Sequence, residues 1–307
     1  MTKQITKAPL PEWKDLLKVI GDLDSVDDNK ILDPWLKGED FGFLLSRSAW
    51  SLSIIAQIRH LITQSKVCVW LPNYFCNSSI APLRELDTNL VFYPILSDGS
   101  PDIQVCNELL KQYSAPDLFI VVHYFGYLVD LEETSKFVDA NNCWLVEDAA
   151  HILLPEERIG IYSHFIIFSP HKFLPIPQGA ILVVKKNKLE KEYNIKSLQF
   201  QECYENLLKK RKKTNLVDLK WSVKRSLQKL GFKTPLRKKD NFSSDELIMD
   251  TKSFIYPKMS SFSKKLLSLL IENLDQEVKT RKENYEYWQI SMKKVFRRQI
   301  GNILRLM

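Results

Sequence analysis

The sequence predicts an α/β fold organised on a mainly parallel sheet. Three observations carry that prediction. Short, continuously apolar runs recur through residues 1–184, amphipathic stretches separate several of them, and chemically distinctive residues cluster at the carboxyl ends of the runs. Runs that are apolar at every position suit strands buried on both faces, as in parallel sheets covered by crossover helices.

In chain order, residues 49–63 read as a helix leading into a strand at 67–71 (VCVWL). A helix over 77–86 precedes a strand at 90–95 (LVFYPI), and one over 104–113 precedes 118–123 (LFIVVH). A helix over 131–140 then leads to 143–147 (CWLVE), followed by strands at 165–169 (FIIFS) and 180–184 (AILVV). In parallel α/β sheets ligands bind beyond the carboxyl ends of the strands, so the residues ending these runs are the first candidates for a site. A polar loop (DNFSSDE) follows Asp240, and a long helical pattern runs from about 260 to 295, with Leu266, Leu269, Leu270 and Leu274 as its apolar stripe.

Composition narrows the class. The 307 residues are 45% hydrophobic and 26% charged, which excludes a disordered chain, a collagen-like chain and a disulfide miniprotein. Glycine is scarce, at 9 residues, so a glycine-rich phosphate loop is not the expected device. The five cysteines (Cys68, Cys76, Cys106, Cys143, Cys203) are odd in number and lack a CxxC pair. They read as reduced thiols of a cytoplasmic protein, with no metal site. The amino-terminal stretch lacks the apolar core of a secretory signal. The longest nearly apolar run, 118–129, falls short of the roughly 20 residues of a spanning helix.

The net charge of +7 is localised. Residues 185–240 hold 18 Lys and Arg against 6 Asp and Glu, a net of +12, which leaves the remainder at −5. Within that segment Leu219, Val223, Leu227 and Leu230 recur at helical spacing, with Lys220, Lys224, Arg225 and Lys229 between them. The favoured reading is a solvated helical insertion whose apolar stripe packs on the domain. The alternatives are a basic patch for acidic lipid headgroups, hence a peripheral membrane contact, or for an anionic substrate. No reader motif accompanies the charge, so nucleic acid is not an expected partner.

Two groups carry chemistry. Glu147-Asp148-Ala149-Ala150-His151 closes one buried run, and buried carboxylates require charged or hydrogen-bonding partners. Another run ends in Ser169-Pro170-His171-Lys172. A lysine and a carboxylate at neighbouring strand ends suit a Schiff-base site, in which Lys binds pyridoxal phosphate (PLP) and Asp pairs with the pyridine nitrogen. A structural Asp148–Lys172 ion pair is the competing explanation of the same two residues.

The ordered set VVHYFGYLVDLEE, VEDAAH, FIIFSPHK and Gln178-Gly179-Ala180 resembles the DegT/StrS-type (DegT/DnrJ/EryC/StrS) sugar aminotransferases, over roughly residues 43–184. The resemblance implies a fold-type I PLP-dependent transferase-like large domain, with Lys172 as Schiff-base lysine and proton shuttle and Asp148 as pyridinium partner. It also implies that His151 lies near the cofactor's phenolic oxygen. Ser48 and the amide of Ala49, at a helix start, would hold the phosphate, with Arg47 adding charge. Tyr74 or Phe75 would stack on the pyridine, Tyr74 being slightly preferred, and Ser169 is a second phosphate candidate. His123 has two equal readings: lining the cofactor, or buried and bonded to backbone. Trp50 reads as core.

The implied function is transfer of an amino group, from a donor such as glutamate, to a nucleotide-linked keto sugar in polysaccharide or glycoconjugate synthesis, by a cytoplasmic homodimer. Residues 1–184 would form the PLP-binding core, 185–250 a basic, mainly helical insertion, and 251–307 a connecting helix and the start of a shortened C-terminal domain. That short C-terminus, together with Gln178-Gly179 in place of an acidic glycine-rich turn, supports the alternative of a non-catalytic binding or interaction module.

Overall fold

The computed structural model describes residues 9–21, 25–193, 195–209, 216–232 and 256–306. The DNFSSDE stretch and Lys210, Arg211, Lys212 and Lys213, the rest of the basic run that Lys209 begins, lie outside these residues.

Seven strands form one sheet: β1 (Phe41–Leu45), β2 (Cys68–Pro72), β3 (Asn89–Tyr93), β4 (Leu118–Val122), β5 (Trp144–Ala149), β6 (Phe165–Phe168) and β7 (Ala180–Val184). Their order is β1-β7-β6-β5-β4-β2-β3. Strands β3, β2, β4, β5 and β6 are parallel, and β7 runs antiparallel between β6 and β1. β1 therefore points the same way as β6, and β7 enters the sheet at the edge where the others leave. That one edge collects the ends of β1, β2, β4, β5 and β6 and the start of β7. The predicted mainly parallel sheet is present. Its antiparallel edge strand β1 has no counterpart in the sequence reading, and β5 extends two residues further, through Asp148 and Ala149.

Helices cover both faces. α1 (Trp13–Gly21) and α2 (Asp28–Leu32) precede the sheet; α3 (Ser48–Thr63), α4 (Asn77–Glu85), α5 (Ile103–Leu109) and α6 (Glu132–Ala140) connect strands. One core joins Trp50, Ile54 and Ile58 of α3 to Val69, Ile120, Val146, Ile167 and Leu182. The second, on the opposite face, packs Phe137 and Val138 of α6 and Cys106 of α5 on Trp70, Phe119 and Leu145. Alternate residues of β4 and β5 thus serve opposite cores, as the pleat requires.

At the end of the sheet opposite the site, Arg59 of α3 is buried against Asp117 (3.0 Å), donates to the carbonyl of Asn142 (3.0 Å) and lies over the Trp144 ring (5.0 Å). The other oxygen of Asp117 accepts from the backbone N–H of Cys68 (2.8 Å). All five cysteines are free thiols, and four of them are buried.

The segment after β7 is helical where described: α7 (Lys186–Tyr193), α8 (Ser197–Lys209) and α9 (Leu216–Lys229). Phe200, Cys203 and Leu207 of α8 join the core beside α3. α9 departs from the expectation that its apolar stripe packs inward. Leu219, Val223, Leu227 and Leu230 are 40–63% exposed. The covered side carries Trp221, edge-on to Phe262, and half-buried Arg225. The single helix read over 260–295 is two, α10 (Ser261–Ile271) and α11 (Leu274–Leu306). The chain divides into two compact units, 1–268 and 269–307, the second consisting essentially of α11.

Candidate active site

The shared strand edge is tied together by backbone bonds. Ser46 follows β1, and its carbonyl accepts from the N–H of Gly179, just before β7 (3.1 Å). The carbonyl of Gly179 accepts from Nδ1 of His171 (2.7 Å). A 3-10 turn, Pro170–Lys172, follows β6, and Lys172 N–H donates to Ser169 carbonyl (3.0 Å). These links fix Lys172 beside the start of α3.

At that start Arg47 is the N-cap and makes no side-chain capping bond, so the first-turn N–H groups at Ser48 and Ala49 face outward from an uncapped end. Nearby, the hydroxyls of Ser46 and Ser169 and Oε1 of Gln178 are buried without a hydrogen-bond partner. Buried polar atoms of native proteins are nearly always paired, so a group of them beside a helix N-terminus and an arginine marks a place for an oxygen-rich anion. Burial lowers the pKa of Arg47, a penalty that a bound dianion would offset. His171 is pushed down to about 3 by burial, by Arg47 and by Lys172, despite its bond to Gly179, and is neutral at physiological pH.

The carboxylates of β5 diverge. Glu147 is fully buried: Oε2 accepts from His123 Nε2 (2.9 Å) and Oε1 from the N–H of Gly160 (3.0 Å). Nδ1 of His123 accepts from the N–H of Val129 (3.1 Å), which places the imidazole proton on Nε2. Both nitrogens of His123 are thereby engaged. Asp148 remains half-exposed and accepts from the N–H of Ala150 (2.9 Å). Desolvation raises its pKa, against the opposing pull of that bond and then of the charge of Lys172. A cation placed against Asp148 would reverse the shift.

Lys172 is exposed and lies within electrostatic reach of Asp148 and His151. The pair does not form the structural ion pair that was the competing explanation: no contact within 4.0 Å joins them. His151 accepts from the N–H of Phe125 at Nδ1 (3.1 Å), so its Nε2 carries a proton; burial, then Lys172, lowers its pKa. The Phe125 ring stacks on His151 at 5.9 Å and 16°. Phe125 holds a left-handed φ of 56°, and Gly126 a φ of 85° with its Cα packed against the His151 carbonyl, a turn in which a side chain at 126 would be strained.

Tyr74 and Phe75 separate. Phe75 is packed on the core, whereas Tyr74 is exposed beside Tyr124, whose hydroxyl donates to the Tyr74 carbonyl (2.5 Å). Burial and then Asp148 raise the Tyr124 pKa, which locates this aromatic pair next to the carboxylate. Trp50 is core. The sequence reading did not assign Ser46, His171, Gln178, Tyr124 or Phe125; all five lie in or beside quoted motifs, but only the β1–β7–β6 links reveal that the first three meet.

Residues 72–300 match the model of the DegT/DnrJ/EryC1/StrS aminotransferase family. The chain belongs to that family. The family is one of aminotransferases. No curated protein sequence matches the chain. Among solved structures it resembles Helicobacter pylori PseC, an aminotransferase involved in pseudoaminic acid biosynthesis (14% identity, 87% of this chain, 64% of that one, TM-score 0.55). It also resembles S. venezuelae DesV, solved with a ketimine intermediate (12% identity, 86% and 62%, TM-score 0.52). Streptococcus pneumoniae Spr1654, solved in its PMP form, is a third (14% identity, 92% and 71%, TM-score 0.58). At such identities these likenesses show the fold. The chain spans less than two thirds of the length of PseC and DesV.

Proposed function

We propose that this chain binds PLP at the strand edge and transfers an amino group, with glutamate as donor, to a nucleotide-linked keto sugar, as a cytoplasmic homodimer. The observation that carries the site is that Asp148 and Lys172 end adjacent parallel strands β5 and β6 without pairing, beside unpartnered hydroxyls and the open end of α3. These residues fit PLP: an anion cradle, a desolvated carboxylate for a ring N–H, and an accessible amine. When bound, PLP supplies an electron sink that stabilises carbanionic charge at the donor's Cα.

The protein's own residues divide the remaining work. Arg47, Ser48, the Ala49 amide and Ser169, joined by Ser46, would hold the phosphate. Asp148 would keep the ring nitrogen protonated, because a partly desolvated carboxylate gains from a cation in contact. Lys172 would supply the amine that holds the cofactor and would serve as the general base that moves the proton. His151, neutral with a proton on Nε2, donates toward the ring's oxygen. Tyr74, with Tyr124, covers the ring. His123 bonds Glu147 and the N–H of Val129.

Lys172→Ala tests the reading by spectroscopy. The parent chain with PLP is expected to show a lysine-linked absorbance band that borohydride fixes and glutamate converts to the PMP spectrum; Lys172→Ala lacks it. Absence of any band at saturating PLP overturns the proposal. A band that glutamate leaves unchanged favours the non-catalytic alternative.

A further inference from the structure

The exposed stripe of α9 has a counterpart on α1. Trp13, Leu17 and Ile20, spaced by four and three residues, are 41–70% exposed, while Leu16 and Val19 of the same helix are buried. In α9 the exposed row is Leu219, Val223, Leu227 and Leu230. Each row is followed one position on by exposed lysines: Lys14 and Lys18 on α1, Lys220 and Lys224 on α9. Lys229 joins the two helices. Its ammonium donates to the Pro11 carbonyl (2.8 Å) and to Glu12 (3.1 Å) and lies 5.8 Å from the Trp13 ring centre. The end of α9 thus abuts the start of α1, so the two exposed rows lie on helices that meet at Lys229.

We propose that the face carrying these two rows docks on the surface of an anionic lipid bilayer. Charge complementarity selects that occupant. The acids of the two helices are otherwise occupied: Glu12 by Lys229, Asp218 by Gln178 (3.2 Å), and Asp15 is half-buried. A second copy docked through the same face would bring the lysines of both copies to one interface that supplies few free acids to pair them. Phosphate headgroups neutralise those rows while the seven apolar side chains enter the acyl boundary, with a tryptophan at the depth such rings prefer. Among the described residues no helix is long and apolar enough to cross a membrane, so the association is interfacial. The Gln178–Asp218 bond connects α9 to the strand edge, so docking would hold the site at a defined height over the lipid.

The test is co-flotation of the full chain with vesicles of phosphatidylcholine and phosphatidylserine, against phosphatidylcholine alone. Binding is expected only with phosphatidylserine, and it should weaken as salt is raised. Val223→Glu with Leu227→Glu is expected to weaken it by about a hundredfold or more. Lys220→Gln with Lys224→Gln, which spares the stripe, should weaken it about 25-fold, at about fivefold per lysine. Circular dichroism checks that each variant is folded. No flotation of the parent, flotation unchanged in the lysine variant, or equal binding to phosphatidylcholine overturns the proposal. So does light scattering that shows the Glu variant dispersing a dimer, which would make the face a contact between copies.

Discussion

Glu147→Gln is nearly isosteric, yet the structure predicts a large loss of stability. Glu147 accepts from two donors, His123 Nε2–H and Gly160 N–H, and His123 is held in that tautomer by the Val129 N–H at its other nitrogen. Glutamine offers one acceptor and one donor. If its oxygen faces Gly160, its amide confronts the His123 N–H. If the imidazole changes tautomer to accept that amide, Nδ1–H confronts the Val129 N–H. If the amide is turned round, Gly160 loses its acceptor. Every arrangement strands at least one buried donor, and the bonds that survive lose their charge assistance. The combined cost is about 2–4 kcal/mol. For a chain of this size that lowers Tm by about 5–10 °C. Urea unfolding followed by circular dichroism measures it, with Glu133→Gln on the exposed side of α6 as the control, expected within about 0.5 kcal/mol of the parent. If Glu147→Gln falls within that same margin, the tautomer-locked network is wrong.

Three further outcomes are expected. Asp117→Ala leaves the buried Arg59 guanidinium without its carboxylate and Cys68 N–H without an acceptor, and should cost about 3–5 kcal/mol in urea unfolding. Asp148→Asn keeps an acceptor for Ala150 but removes the charge; absorbance titration should show PLP affinity reduced about 10- to 100-fold, with Tm little changed. His171 has a folded pKa of about 3, below the imidazole's ordinary value near 6.5, so its contribution is complete above pH about 6.5 and is lost as pH falls toward 3. In His171→Gln the urea midpoint should fall less steeply over that window than in the parent; parallel profiles refute the assignment.

Much of the fold was legible because the strands announce themselves chemically. A strand buried on both faces is apolar at every position, and β2, β4, β6 and β7 read that way. β1 was not legible: Phe41–Leu45 is five residues with a glycine inside, and it becomes a strand only because β7 offers it an antiparallel partner. The break between α10 and α11 was hidden because residues 260–295 keep a helical periodicity on both sides of Glu272-Asn273. α9 shows another limit. Periodicity identifies which residues share a face but not which face is covered, and Trp221 with Arg225 makes a second row that packs inward. At the site, the end-of-strand residues Asp148 and Lys172 were visible as motifs. Ser46 and Gln178 were not, since what makes them distinctive is a lack of partners that only the folded neighbourhood defines.

The pair Glu147-Asp148 shows how a motif acquires two functions from strand geometry alone. In β5, Val146 belongs to the core on the α3 face and Leu145 to the core on the α6 face. Alternation therefore sends Asp148 to the α3 side and Glu147 to the α6 side. β4 follows the same parity, Phe119 and Val121 placing His123 on the α6 side, where it meets Glu147. β6 has Phe165 and Ile167 on the α3 side, which puts Ser169 there with Asp148 and the N-terminus of α3. One face of the sheet edge is closed by a saturated hydrogen-bond network, and the other is left with unpartnered oxygens and a half-exposed carboxylate. Rigidity on the first side is what lets the second remain open, because Asp148 hangs from the same strand residue that Glu147 and the His123 N–H to Asp148 carbonyl bond hold in register (3.0 Å). Shifting the register of β5 by one residue would exchange the two carboxylates and destroy both functions at once.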